Sequence, residues 1–388
     1  MKILLVIDQF FSANNGMTIS ARRFAAKLKE HGNEVRVVST GKEGDTEYLM
    51  DTYHFPFFDK LVTAQGMAFA SIDKDVLEKA VLWADVVHFF VPFALAHKGI
   101  KLCIQHDVPF TGAFHVQPEN ITSSIHMNKL GFVNNGIYSF FRNYVYKYCN
   151  HIHCPSQFIA NELMKHGYTS HLHVISNGID PDFVYRKLPK PKERQGEFAI
   201  LSVGRYSVEK RQDLLIRAAS LSKYKSKIVL YLAGQGPRES NLRALSDELS
   251  VKTVYGFYPK QQLLDLIATC DLYVHCADFE IEAMSCMEAF ASGLVPVIAN
   301  AEKSATPQFA LDDRSLFEAG NAEDLAHKID YWIEHPDERK EMEYKYAELG
   351  KKYNLDECVS RAEEMFRQAI EESKSKKSSK GGKVSEPA

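Results

Sequence analysis

The sequence predicts an α/β protein built from two Rossmann-like, doubly wound halves, and three observations carry that prediction. Short apolar runs recur along the chain, each followed by a polar turn and a helical pattern. This alternation breaks once, at the charged, proline-bearing stretch DFVYRKLPKPKERQGE, and then starts again. The pattern is clearest around DFEIEAMSCMEAFASGLVPVIAN, residues 278 to 300. There LYVHCA reads as a buried strand, MSCMEAFAS as a helix ended by Gly293, and LVPVIAN as the next parallel strand.

Composition narrows the class. A chain of 388 residues with 45% hydrophobic content suits two globular domains. Lys plus Arg number 47 against 50 for Asp plus Glu, and a formal net charge of −3 does not fit a nucleic-acid binder. Seven cysteines (103, 149, 154, 270, 276, 286 and 358) lack CxxC spacing and read as reduced thiols of a cytosolic protein. MKILLVIDQF reads as a first strand rather than a signal peptide, because an Asp at position eight follows the apolar run without a small-residue cleavage site. No run reaches the length needed to span a bilayer, so the expectation is a soluble protein or one resting on a membrane surface.

In the first half, residues 2–8 read as a parallel strand, followed by the loop FFSANNGMT and a helix over about 19–31. Asn15-Gly16 is the tight point of that loop, where a glycine lets backbone approach a ligand, although Asn-Gly is equally a plain turn signal. EVRVVST, DVVHFFVPF, DVPFTGAFH, HIHCPS and HVISNGID continue the alternation. The second half runs through FAILSVG, DLLIRAASLS, KIVLYLAG, SNLRALSDELS, VKTVYGF and the helix around LLDLIATC into LYVHCA. The boundaries predicted are a first domain over 1–185, a linker over 186–197, and a second domain over 198–350. A terminal helix over 351–373 packs back towards the first domain, and the polar tail 374–388 is disordered.

The chemistry gathers at strand ends of the second half. Glu280 sits at a strand-to-helix turn whose free N–H groups and helix dipole suit a phosphate, and Glu288 lies two turns on, placed to accept a hydrogen bond from a hydroxyl such as a ribose's. A helix with one favourable first-turn carboxylate and one solvated Glu would look the same. GRYSVEKRQD places Gly204, Arg205 and Lys210 after the first strand, two cations able to neutralise a departing diphosphate. AGQGPRESNL adds Gly234 and Gly236 after the next strand. The order along one sheet makes these groups converge on one ligand.

Together these motifs resemble the retaining nucleotide-sugar glycosyltransferases of family 4, which have the two-domain GT-B fold with Rossmann-like domains facing a central cleft. Glu280 and Glu288 match the family's Glu-x7-Glu motif, Arg205 and Lys210 its Gly-Arg...Glu-Lys element, and residues 234–237 its Gly-x-Gly-Pro turn. The resemblance implies that Arg205 and Lys210 hold the donor diphosphate, Glu280 contacts the transferred sugar and Glu288 binds the ribose. It also implies that backbone amides near Ile281, Glu282 and Ala283 complete the site. Glu282 has Phe290 eight residues on and cannot form the pair. Two departures concern backbone placement, Ile281 where the family often has Gly and Asn15-Gly16 where it has Gly-Gly. His115, in TGAFHVQPEN, resembles the family's histidine facing the donor sugar, where a neutral imidazole could bond a hydroxyl.

The implied reaction is retaining transfer of a hexose, glucose or galactose, from a UDP-sugar to an acceptor hydroxyl by same-face attack, with no cofactor and no metal. His151 with His153, and His171 with His173, have same-face spacing but no carboxylate or thiolate set to complete a metal site. Asp180-Pro181-Asp182 reads as a turn. FHVQPENITSSIHM and EIEAMSCMEAFASGLVPVIAN resemble the diacylglycerol glucosyltransferase branch, implying a lipid acceptor such as diacylglycerol or ceramide and a peripheral position on the inner face of the plasma membrane. The stretch 125–149 mixes Phe140, Phe141, Tyr144 and Tyr146 with Arg142 and Lys147, as an interfacial helix or a Tyr-rich core helix would. Two alternatives stay open: a capsule or cell-wall oligosaccharide glycosyltransferase, and an inactive nucleotide-binding regulator. A dehydrogenase is disfavoured because DQFFSANNGMT lacks a GxGxxG fingerprint.

Overall fold

The computed structural model describes residues 1–11, 16–54, 68–123 and 131–381, with side chains to position 377. These residues divide into two compact units. The first takes the chain through Pro118, the stretch ending at Gly178, and the helix that begins at Leu355. The second takes Ile179–Asn354 together with residues 119–123.

The first unit is one sheet of eight strands: β1 (Lys2–Gln9), β2 (Glu34–Thr40), β3 (Tyr48–Thr52), β4 (Ala70–Ser71), β5 (Val86–Phe89), β6 (Phe110–Ala113), β7 (His151–Cys154) and β8 (His171–Val174). Their order is β4-β3-β2-β1-β5-β6-β7-β8, parallel except for the antiparallel β3–β4 pair. Seven of the eight residues of β1 are buried, as a central strand covered on both faces requires. One cover is a pair of helices far apart in sequence, Gly16–Glu30 and Leu355–Gly381. Phe24, Ala25 and Leu28 of the first pack with Val359, Ala362, Met365 and Phe366 of the second in a core shared with Ile3, Leu5 and Ile7. Each Leu, Ile, Val, Met or Phe among them, fully buried, contributes about 1.5–3 kcal/mol of transfer free energy.

The second unit is a six-stranded parallel sheet of β9 (Phe198–Val203), β10 (Ile228–Ala233), β11 (Thr253–Gly256), β12 (Leu272–His275), β13 (Pro296–Asn300) and β14 (Leu316–Glu318). The order β11-β10-β9-β12-β13-β14 reverses direction between β9 and β12. At such a reversal the following loops turn to opposite sides and leave a crevice at the strands' carboxyl ends. Trp332, Phe290, Tyr346 and Phe317 are among its fully buried side chains. The helix Ala322–Glu334 starts at Asn321, whose carboxamide oxygen accepts from the N–H groups of Glu323 and Asp324, an N-cap.

The chain passes from the first compact unit to the second at Gly178–Ile179, and residues 186–197, read as a linker, are tied to the second unit. Leu188 N–H donates to Ala268 O at 2.9 Å, Lys187 pairs with Glu343 at 2.9 Å, and Lys190 pairs with Asp271. The charges that read as solvent-facing meet carboxylates of the second unit. The Asp180-Pro181-Asp182 turn is held in the same way, by the Lys260 ammonium at 2.7 Å from each carboxylate. At the other end, the terminal helix continues to Gly381, so residues 374–381 are helical rather than disordered. An established helix extends through Lys and Ser at small cost, because nucleation is the expensive step.

All seven cysteines are buried. His151 Nδ1 lies 2.9 Å from His173 Nε2 and its Nε2 3.1 Å from Glu372, and among the described residues no group of three His, Cys, Asp or Glu could hold a metal ion. No described helix is long and apolar enough to cross a membrane.

Candidate functional site

Three loops meet at the carboxyl ends of β9, β10 and β12. The loop after β9 lies so close to the turn after β10 that a Cβ on Gly234 would stand 2.0 Å from Gly204 O, and one on Gly236 2.5 Å from Tyr206 O. Backbone hydrogen bonds lock this approach: Gly204 N–H to Ala233 O (3.0 Å), Tyr206 N–H to Gln235 O (3.1 Å) and Arg238 N–H to Tyr206 O (3.1 Å). The glycines of the Gly-x-Gly-Pro turn thus admit the neighbouring loop. A second set of contacts ties that loop to the one after β12. Asp278 N–H donates to Glu209 O at 2.8 Å, and the Arg211 guanidinium reaches Asp278 at 3.4 Å and Asp213 at 3.6 Å.

This frame brings Lys210 onto Glu280, with a short contact between ammonium and carboxylate. His275, the last residue of β12, approaches the same oxygen with Nε2 at 3.0 Å. The backbone of Glu280 is fixed from the other side, where its carbonyl accepts Ala305 N–H at 2.8 Å. The Glu280 side chain is only 12% exposed. Burial alone would raise its pKa, but the Lys210 charge and the His275 hydrogen bond outweigh burial and hold it at about 2. Glu280 is therefore a carboxylate at every physiological pH.

Behind His275 the bonding continues inward. Its Nδ1 lies 3.2 Å from the Tyr273 hydroxyl, Tyr273 donates to Ser285 Oγ at 3.1 Å, and Ser285 donates to Val203 O at 3.1 Å. The helix Met284–Ala291 begins here, and no side chain among the described residues caps its start. Its N-cap residue Ala283 is left-handed, with φ 65° and ψ 59°. Arg211, with φ 51°, is another left-handed residue of this site among the described non-glycine residues. Each costs about 1–2 kcal/mol, strain of the kind that gathers at functional sites.

The remaining candidates fall as follows. Arg205 is exposed on the loop after β9, and its carbonyl accepts from Gln212 at 2.9 Å. Ile281 is half-buried, Glu282 and Ala283 are buried, and Glu288 is half-buried on the helix Met284–Ala291. In the first unit, Gly16 opens its helix with no atom of the described residues within 4 Å of a Cβ built on it, while Asn15 lies outside the described residues. His115 follows β6, stacked on Phe90 (centroids 5.5 Å, 22°) and edge-on to His153 (5.3 Å). Burial, then the nearby His153, push its pKa well below the usual histidine range, so the imidazole is neutral. The helix Gly131–Tyr144 buries Tyr138 and Phe141 and exposes Phe132 and Phe140, and Tyr146 just beyond it is buried, donating to Ala113 O at 2.7 Å.

Sequence reading does not reach His275, Tyr273, Ser285 or Asp8. His275 and Tyr273 hide inside an apolar run, and their only signal is two polar-capable side chains at same-face spacing at the end of a strand. Asp8 ends the exposed-looking tip of β1 but is buried, its Oδ1 accepting Ala70 N–H at 3.0 Å and its Oδ2 without a partner among the described residues. Burial raises its pKa to about 6.

Comparison with known proteins places this geometry. Residues 14–183 match the model of Glycosyltransferase Family 4 and residues 185–348 that of Glycosyl transferases group 1. The chain is 23% identical over 322 residues to the alpha-monoglucosyldiacylglycerol synthase of Streptococcus pneumoniae, covering 77% of this chain and 71% of that one. It is 26% identical over 313 residues to a GDP-mannose-dependent alpha-mannosyltransferase of Corynebacterium glutamicum, covering 77% and 72%. Among solved structures, Anabaena Alr3699/HepE in complex with UDP-glucose aligns with TM-score 0.70 at 15% identity, over 95% of this chain and 100% of that one. The catalytic domain of the cholesterol-alpha-glucosyltransferase of Helicobacter pylori is 52% identical over 40% of this chain and 99% of that one, with TM-score 0.40. Two parallel-sheet α/β units of this kind form the GT-B fold. Within that class, the chain belongs to glycosyltransferase family 4.

Proposed function

We propose that the protein is a retaining hexosyltransferase that moves glucose or galactose from a UDP-sugar to a membrane lipid, such as diacylglycerol or ceramide. The observation that carries this reading is the Lys210–Glu280 pair at the carboxyl ends of β9 and β12. Lys210 and Arg205 neutralise the diphosphate as it departs, which is where charge develops in the transition state. Glu280, ionised and fixed, accepts hydrogen bonds from hydroxyls of the transferred sugar, and Glu288 accepts from the ribose. Backbone amides of residues 281–283 and the uncapped start of the helix Met284–Ala291 complete the anion site. The neutral His115 bonds a sugar hydroxyl. The leaving phosphate receives the acceptor proton during same-face attack, with no metal taking part.

The lipid acceptor is supported by the likeness to a monoglucosyldiacylglycerol synthase and by the exposed Phe132 and Phe140 on the helix Gly131–Tyr144, which suit contact with the inner face of the plasma membrane. The test is UDP release from UDP-glucose or UDP-galactose, with and without diacylglycerol, ceramide or cholesterol in anionic micelles, and with GDP-mannose as the competing donor. Release that needs a lipid and disappears in Glu280→Ala is expected. Release indifferent to lipid but raised by an oligosaccharide moves the protein to capsule or cell-wall synthesis, and failure to bind any nucleotide sugar overturns the enzyme reading.

A further inference from the structure

Two adjacent cations reach two carboxylates on one loop. Lys210 pairs with Glu280, and Arg211, the next residue, places Nη1 3.4 Å from Oδ1 of Asp278. Asp278 and Glu280 stand two residues apart after β12, so the two pairs grip that loop at two points. The backbone adds a third tie, Asp278 N–H to Glu209 O at 2.8 Å. Arg211 is anchored in turn, since its Nε lies 3.6 Å from Asp213 Oδ1, and the same oxygen lies 3.3 Å from Nη1 of Arg238 on the turn after β10. A row of alternating charge, Arg238–Asp213–Arg211–Asp278, thus crosses all three loops of the site.

The backbone at Arg211 points to a use for its side chain. Arg211 joins the 3₁₀ turn Val208–Lys210 to the helix Gln212–Leu221, and does so in the left-handed conformation, φ 51° and ψ 37°. A glycine would take that conformation without the clash of a Cβ against the following carbonyl. The arginine is compensated by what its guanidinium holds, Asp278 and Asp213. All three side chains are half-buried, so salt screens these pairs less than exposed ones.

We propose that Arg211 is a positioning residue, which with Asp278 holds the loop after β12 in place when Lys210 turns from Glu280 to the donor diphosphate. The two pairs have different fates. The role of Lys210 rests on the sugar-transfer reading above: once phosphates arrive, its single charge is shared between them and Glu280, and its hold on the carboxylate weakens. Arg211 stays on Asp278. Glu280 then meets the sugar hydroxyls from the position it already occupies, with no reorganisation at the moment of reaction.

Lys210→Ala removes the pair with Glu280 and stands in for a lysine drawn to phosphate. Hydrogen exchange of the amides of residues 276–283, followed in the full chain, should stay slow in Lys210→Ala. It should become about tenfold faster when Arg211→Asn is added, Asn being a residue that tolerates left-handed backbone without carrying charge. Exchange already fast in Lys210→Ala, or still slow in the double variant, overturns the proposal. Asp278→Ala in place of Arg211→Asn should act alike, and the two together should act no more strongly than either, because they remove one and the same pair.

Binding separates this role from a merely structural one. Arg211→Asn alone should weaken UDP-glucose or UDP-galactose, whichever is turned over, about tenfold, and should weaken UDP, which lacks the sugar, by less than about twofold. Melting temperatures scanned alongside serve as a control for folding. Equal losses for the two ligands would mark a general loosening of the site and overturn the positioning role. If the wild-type protein binds neither UDP nor a UDP-sugar, the functional reading fails, while the exchange rates still decide whether Arg211 holds the loop.

Discussion

Glu280, half-buried, and Asp8, buried, are carboxyl groups whose environments push them in opposite directions, and their effects on stability have opposite signs. Glu280 is held at about 2, below its ordinary 4.5. Its stabilisation is therefore complete above pH 4.5 and is lost as pH falls through 2, and amounts to on the order of 3 kcal/mol at neutrality. Urea unfolding of the wild type should lose more stability between pH 4.5 and 2 than that of Glu280→Gln, which starts lower at pH 7. Asp8 is raised from 3.8 to about 6. The native state holds that proton more tightly than the unfolded chain, so stability falls as pH rises from 3.8 to 6 and stays reduced above it. Asp8→Asn keeps an oxygen for Ala70 N–H and removes the buried charge. It should gain about 1–3 kcal/mol above pH 6 and nothing below pH 4, read from denaturant midpoints at the two pH values.

At the scale of elements, the site depends on loops stacking at less than ordinary side-chain separation. A methyl at Gly234 would meet Gly204 O at 2.0 Å, which is backbone and cannot swing aside. Gly234→Ala should therefore push the 204–211 loop away and carry Lys210 off Glu280, costing about 1–3 kcal/mol of stability. Isothermal titration with UDP would show weakened binding, and an unchanged affinity would mean that the loop adapts. His31 links two elements of the first unit. Its ring nitrogens lie 3.1 Å from Asp356 and 3.4 Å from Glu363 on the terminal helix, and the Asp356 hydrogen bond, against burial, raises its pKa. That contribution is present in full below the ordinary pKa of 6.5 and is lost as pH rises through the raised value.

At the scale of the whole chain, the first unit is assembled from both ends of the sequence. Leu355, Val359, Ala362, Met365 and Phe366 lie in the same core as β1, more than 300 residues away. The crossing leaves no room for a side chain, since a Cβ on Gly178, where φ is +78°, would stand 2.6 Å from the Leu355 backbone. Ending the chain at Asn354 should expose the face of β1 and its helix and unfold the first unit, while leaving the second unit's core whole. Calorimetry should lose one transition and keep the other, and limited proteolysis should retain a fragment near residues 179–354. Survival of both transitions would show that the terminal helix is dispensable.

The strand and helix pattern, the doubly wound class and the eight-residue spacing of Glu280 and Glu288 are legible in the sequence because they are local. A buried parallel strand must be apolar, a helix must repeat near 3.6 residues, and an eight-residue spacing is a spacing in the chain. Tyr48–Thr52, Leu316–Glu318 and the helix Ala322–Glu334 are harder to read, being short or set among polar residues with weak turn signals. The attachment of residues 186–197 to the second unit is not legible, because charge looks like solvent exposure until the opposing carboxylates are found. The sequence by itself determined which residues stand at strand ends. Only the tertiary structure decided that Lys210, 70 residues before Glu280, shares its carboxylate with His275, and that Asp8 is buried, because both facts arise from chain segments brought together across a sheet.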